Sequence, residues 1–121
     1  MSHERLSLGL RGEDAAVRYL QQRRFKILER NFTTPLGEID IIARDGRALV
    51  FIEVKTRSSL AFGSPAEAVG PRKQRQIIRA AKWFLASGQW RELQPRFDVV
   101  SVLMQGSTVE VEHLPAAFDV C

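Results

Sequence analysis

The spacing of apolar residues alternates between a helical and a strand period, and the changes of period divide the chain into elements. Leu6, Leu10, Glu13, Val17 and Leu20 recur every three or four positions, which predicts an amphipathic helix over residues 6–24. Glu13 falls inside the stripe that should face the core. Either its carboxylate is paired, ligated or set at a cleft, or the helix is turned slightly so that Ala16 is inside and Glu13 lies at the rim. Residues 25–32 alternate apolar and polar and predict a strand. A Thr-Thr-Pro-Leu-Gly break follows. Residues 38–43 predict a second strand, Asp45-Gly46 a two-residue hairpin turn, and residues 48–56 a third strand. Residues 58–70 read as a loop, or a loop with a short helix. The helical period returns over residues 71–87, with Ile77, Ile78, Ala81, Phe84 and Leu85 as its apolar face and Gly88 as its stop. Residues 97–104 and 108–113 predict two more strands. This order implies an α/β fold, a mixed central sheet of about five strands flanked by helices, in one domain spanning residues 1–121.

The hairpin GEIDIIARDGRALVFIEVKTR places charged residues among β-formers. With Asp45 and Gly46 as the loop, Arg44 pairs with Arg47, Asp40 opposes Phe51, and Glu38 opposes Glu53. Alternation then puts Asp40, Glu53 and Lys55 on one face, with Asp40 and Glu53 as diagonal neighbours ~7–8 Å apart at the backbone. A bulge would alter this register. Crowded carboxylates repel one another unless a cation holds them, and a hard divalent ion such as Mg²⁺ takes oxygen ligands of this kind. A lysine beside the pair can orient an attacking water and offset charge on a phosphate, so the set suits metal-assisted phosphodiester hydrolysis. The alternative is a solvated sheet face with weak surface ion pairs. That same face carries Phe51, Leu49 and Ile42, so it is not plainly polar. A motif this short admits both readings.

Composition narrows the class. Hydrophobic residues make up 45% and charged residues 26%, ordinary for a globular protein. No apolar run approaches the ~20 residues needed to cross a bilayer, and the first residues have no continuous apolar segment of the signal-peptide kind. The expectation is a cytoplasmic protein without a membrane partner. Cys121 is the sole cysteine, which excludes an internal disulfide and a cysteine-based zinc cage. A net charge of +4 suits a polyanionic partner, although it also serves solubility. Arg72, Arg75, Arg79 and Lys82 share one helix face, Lys73 lies off that row, and Arg57 adds charge near the hairpin. These residues are candidates for a nucleic-acid backbone track, or else form a solvated outer face. Trp83, Trp90 and Phe97 read as packing residues rather than base-stacking platforms, and Asp98, at a strand start, as a structural residue rather than one that orients a site residue.

The motifs GEID and EVKTR, in this order of elements, resemble those of the YraN family of small bacterial proteins over most of the chain. That family is in turn similar to the restriction-endonuclease-like nucleases with a D…ExK signature, the archaeal Holliday junction resolvases in particular. Here the signature is Asp40, Glu53, Val54 and Lys55, and Glu13 in RGEDAA matches an acidic residue that the resolvase-like branch carries on its first helix. The resemblance implies that Asp40, Glu53 and Glu13 hold Mg²⁺ or Mn²⁺, with the Val54 carbonyl as a further ligand, and that Lys55 is catalytic. It also implies an endonuclease acting on DNA, branched or structured DNA included, and a homodimer. The longer signature's proline is absent, since Gly37-Glu38-Ile39 precedes Asp40. A nucleic-acid-binding protein that keeps the fold without turnover is the rival expectation, and an assembly factor a third.

Overall fold

The structure, a computed structural model, describes residues 3–58 and 69–119, with side chains of the first helix described from Leu8 onward. The elements are α1 (His3–Gln22), β1 (Lys26–Thr34), β2 (Gly37–Asp45), β3 (Ala48–Arg57), α2 (Pro71–Leu85), β4 (Gln94–Gln105) and β5 (Thr108–Phe118). They agree with the expected order of helices and strands. Most of the expected loop over residues 58–70 lies outside the described residues.

The strands form one mixed sheet in the order β1-β2-β3-β4-β5. All neighbours are antiparallel except β3 and β4, which run parallel and are joined through α2. A parallel pair needs a crossover, and the helix supplies it. Each face of the sheet buries its own apolar cluster. Ala16, Val17 and Leu20 of α1 pack on Ile41, Ala43, Val50, Ile52, Val100 and Val102. Ile77, Ala80 and Ala81 of α2 pack on Ile42, Leu49, Phe51, Phe97 and Val99 on the other face. Fully burying each aliphatic or aromatic side chain of this size stabilises the fold by ~1.5–3 kcal/mol. β3 is sealed on both sides, which is why residues 49–53 are all buried.

The first helix stops at Gln22, short of the expected Arg24, while α2 starts at Pro71 as expected. Arg24 adopts a left-handed conformation (φ 69°) after α1, and the Phe25 N–H returns to the Leu20 carbonyl at 3.0 Å, closing the helix end. Pro71 sits in the first turn of α2, where its missing N–H costs nothing.

Three sequence expectations are corrected. Leu10 is not in the buried stripe of α1: it is exposed, and Gly12, Glu13, Ala16, Val17 and Leu20 form the inner face. A Cβ on Gly12 would overlap the Thr56 side chain, so glycine lets α1 approach β3 at this point. Trp83 is 52% exposed and is no core residue, whereas Phe97 is buried and Trp90 stacks on Phe84. The hairpin register also differs. Asp45 pairs with Ala48, Ile42 with Phe51 and Ile41 with Ile52, so the loop is Gly46-Arg47. Gly46 has φ +59°, the pattern of a glycine-first turn. The difference keeps every side chain on its face, so the hydrophobic pattern could not distinguish the two registers. Asp45 is thereby freed from the turn, and its carboxylate meets Arg96 at 3.4 Å.

Candidate active site

The true register moves the two carboxylates closer than expected. The last regular pair is Ile41↔Ile52, so Asp40 and Glu53 are the next residues on their two strands. The regular pairing stops there, because Asp40 interrupts the pleat. Ile39 packs in the α2-side cluster and Ile41 in the α1-side cluster, although strict alternation would put both on one face. Across from this break in β1, Asn31 has a positive φ of 53°, a conformation that asparagine tolerates better than most residues. The Asp40 carboxylate bends back toward β3, where its Oδ2 accepts the Val54 N–H at 2.8 Å. A backbone donor thus fixes its orientation.

Glu53 projects to the α2 side, the side of Leu49 and Phe51, and is 6% exposed. Its carboxyl group lies beside that of Asp40, within hydrogen-bonding reach. Burial, that contact and the Asp40 charge push its pKa up to about 8, against the opposing pull of Lys73 and Lys55. Lys73 in the first turn of α2 places its Nζ 3.5 Å from Glu53 Oε2. Lys73 therefore lies apart from the exposed basic row, as its helical phase indicated, and touches the carboxylate pair instead.

Next to the pair, α1 and the diverging ends of β2 and β3 enclose a cleft of about 540 Å³. Glu13, Asn31, Glu38, Asp40, Lys55 and Thr56 all contribute to its walls. Lys55 and Asp40 are therefore brought together as expected, while Glu53 lies behind the wall in contact with Asp40. Glu13 reaches the same cleft from the helix, inside the stripe. Its Oε1 is engaged by Arg30 Nε at 3.0 Å and Asn31 Nδ2 at 3.1 Å. Among the described residues, no three His, Cys, Asp or Glu side chains gather closely enough to form a ready metal-ligand group.

Arg72, Arg75, Arg79 and Lys82 are all exposed on α2. Arg57, at the end of β3, is half-buried. Sequence reasoning missed the contacts of Lys73, Arg30 and Asn31. An arginine and an asparagine on an exposed strand gave no signal, since what selects them is a buried carboxylate on a distant helix. Asp98 holds a separate network on the α1 side: it is fully buried and accepts from Arg96 Nε at 2.9 Å, from His113 Nε2 at 2.7 Å and from the Ala116 N–H at 3.0 Å. Burial alone would raise its pKa, but these donors outweigh burial and hold it below the ordinary carboxylate value. The network fastens β5 to β4 and does not touch the cleft.

Fold and site together define an α/β protein with a mixed five-stranded sheet and two helices, consistent with a restriction-endonuclease-like architecture, carrying a carboxylate pair at the frayed end of its central hairpin. Residues 12–102 match the model of the uncharacterised protein family UPF0102, and the chain belongs to that family, the YraN family that its motifs resemble. It is 57% identical to a UPF0102 protein of Syntrophotalea carbinolica over 99% of this chain and 98% of that relative. It is 50% identical to one of Geobacter metallireducens, over 98% of each, and 54% identical to one of Geotalea daltonii, over 93% of this chain and 90% of that relative. No helix among the described residues is long and apolar enough to cross a membrane.

Proposed function

We propose that this protein is a metal-dependent endonuclease that hydrolyses phosphodiester bonds in DNA, branched or otherwise structured DNA included. The observation that carries the reading is the direct contact between Asp40 and Glu53, with Lys55 on the wall of the adjoining cleft. Two carboxyls this close together, one of them buried, form a destabilised anionic site, whose cost a hard cation relieves. The donor set, carboxylate oxygens beside the Val54 carbonyl, fits Mg²⁺ or Mn²⁺. A divalent ion there supplies Lewis-acid polarisation of a phosphoryl oxygen.

The chain's own residues do the rest. Asp40, oriented by the Val54 N–H, and Glu53 would hold the ion, and Glu13 would complete the acidic set from α1 on release from Arg30 and Asn31. Lys55 presents its ammonium in the cleft, where it orients the attacking water and offsets charge on the phosphate. Lys73 balances Glu53 from below. The exposed row of Arg72, Arg75, Arg79 and Lys82, with Arg57 near the hairpin end, contacts the DNA backbone. On this reading the protein works in the cytoplasm, and two-fold symmetric substrates call for a homodimer.

The test is a cleavage assay with Lys55→Met and Asp40→Asn. Each should lower the Mg²⁺-dependent rate by roughly 100-fold or more while DNA binding persists. Wild-type activity that survives both changes refutes the reading. A second reading, a nucleic-acid-binding protein without turnover, is favoured by one specific observation: Arg30 and Asn31 already occupy Glu13. It expects DNA binding that responds to the basic row, and no metal-dependent product.

A further inference from the structure

Trp83 is the one large apolar residue of α2 that is exposed, while Ile77, Ala80 and Ala81 are buried and Phe84 stacks on Trp90. A single exposed tryptophan needs no explanation in itself. Its neighbours separate it from that ordinary case. At ~100° per residue, Arg72, Arg75, Arg79, Lys82 and Trp83 fall within an arc of about 100° on the outer face of the helix. All five are exposed, and α2 contains no acidic residue. Among the described residues none of the four cations has an ion-pair partner, and the Trp83 ring has no aromatic or cation–π contact. A free aromatic face among unpaired cations is the composition of a single-strand platform: cations follow the phosphates, and the ring stacks a base that no partner strand covers. Duplex DNA offers the cations the same phosphates but keeps its bases stacked inside.

The position of the face adds direction. α2 starts at the carboxylate pair, where Lys73 touches Glu53, and Trp83 follows ten residues later, ~15 Å along the axis. At the ~3.4 Å rise of a stacked strand, that span is about four nucleotides. We infer that the outer face of α2 is a single-stranded DNA track with Trp83 as its base-stacking platform, so that the substrate carries an unpaired segment beginning about four nucleotides from the bond to be cut. The platform stands on the α2 face alone; its distance from the scissile bond rests on the nuclease reading.

The experiment is done without metal, in EDTA, so that it reads binding and not cleavage. The chain has two tryptophans, so Trp90→Phe leaves Trp83 as the sole indole fluorophore. Titrating an unstructured oligothymidylate should quench its emission saturably. By fluorescence anisotropy at fixed low salt, Trp83→Ala should weaken single-strand binding roughly 10-fold relative to duplex of the same sequence, and Trp83→Phe should restore most of it. Absence of quenching, equal losses on single strand and duplex, or no single-strand binding at low salt would each overturn the inference. Trp83-dependent binding by a protein that cuts nothing supports the platform and refutes only the nuclease reading. Cleavage that needs Glu53, with single-strand binding indifferent to Trp83, overturns only the platform.

Discussion

Lys73 Nζ lies 3.5 Å from Glu53 Oε2, so the first turn of α2 supplies a counter-charge to a carboxyl that β3 has buried. The helix that crosses from β3 to β4 thus has two jobs on two faces: Lys73 points inward at the carboxylate pair, and the arginine row points outward. Lys73→Met should raise the Glu53 titration midpoint above about 8, because one of its two opposing cations is gone while burial and Asp40 remain. Carboxyl-carbon NMR titration of the metal-free protein reads this directly. An unchanged or lower midpoint would show that the contact does not matter in solution.

The raised pKa of Glu53 makes stability depend on pH. The folded state holds this proton more tightly than the unfolded chain, so the contribution is full below the ordinary carboxylate value of 4.5 and is lost as pH rises through about 8. Glu53→Gln imitates the protonated form. In EDTA it should match wild type near pH 4 and exceed it by roughly 5–10 °C in Tm near pH 9. Thermal unfolding across pH 4–9 checks the trend, and a stability difference that is the same at both ends contradicts it.

Arg30 holds Glu13 in place from β1. Arg30→Ala leaves a buried carboxylate with Asn31 as its remaining side-chain donor, which should cost about 1–3 kcal/mol. Urea denaturation should show a lower midpoint with an unchanged slope. A midpoint within error of wild type would mean that water replaces the guanidinium at no cost.

The alternation of GEIDII and LVFIEVK and the helical spacing of residues 71–85 fixed the elements, and with them the sheet's two apolar faces. The pairing of Asp40 with Glu53 was only half legible. Alternation put Glu53 and Lys55 on one face, but both hairpin registers satisfied the hydrophobic pattern; an Asp45-Gly46 turn would need positive φ at both residues, and only Gly46 has it. The break at Asp40 is a matter of how β1 and β3 share β2, which no local pattern records. Trp83 was misread because its exposure depends on the phase of α2 against the sheet. One step away at Phe84 the same chemistry is packed against Phe32, Phe51 and Trp90.

The basic row makes a quantitative claim of its own. Arg75→Gln and Arg79→Gln should each flatten the dependence of log affinity on log salt by ~0.7 for single strands and ~0.9 for duplex, if each arginine neutralises one phosphate. Binding isotherms at several salt concentrations measure the slope. Lower affinity with an unchanged slope would assign these residues to packing or folding instead.

The central claim concerns the Asp40–Glu53 pair, and a cleavage screen tests it most directly. Purified wild type and Glu53→Ala are incubated with linear, flapped and four-way-branched DNA in Mg²⁺, in Mn²⁺ and in EDTA. The expected result is metal-dependent cutting by wild type, favouring substrates with an unpaired segment, that falls at least ~100-fold in Glu53→Ala while its circular dichroism and DNA affinity stay near wild type. Wild type that cuts none of these DNAs with either metal, or Glu53→Ala that cuts as fast as wild type, would contradict it.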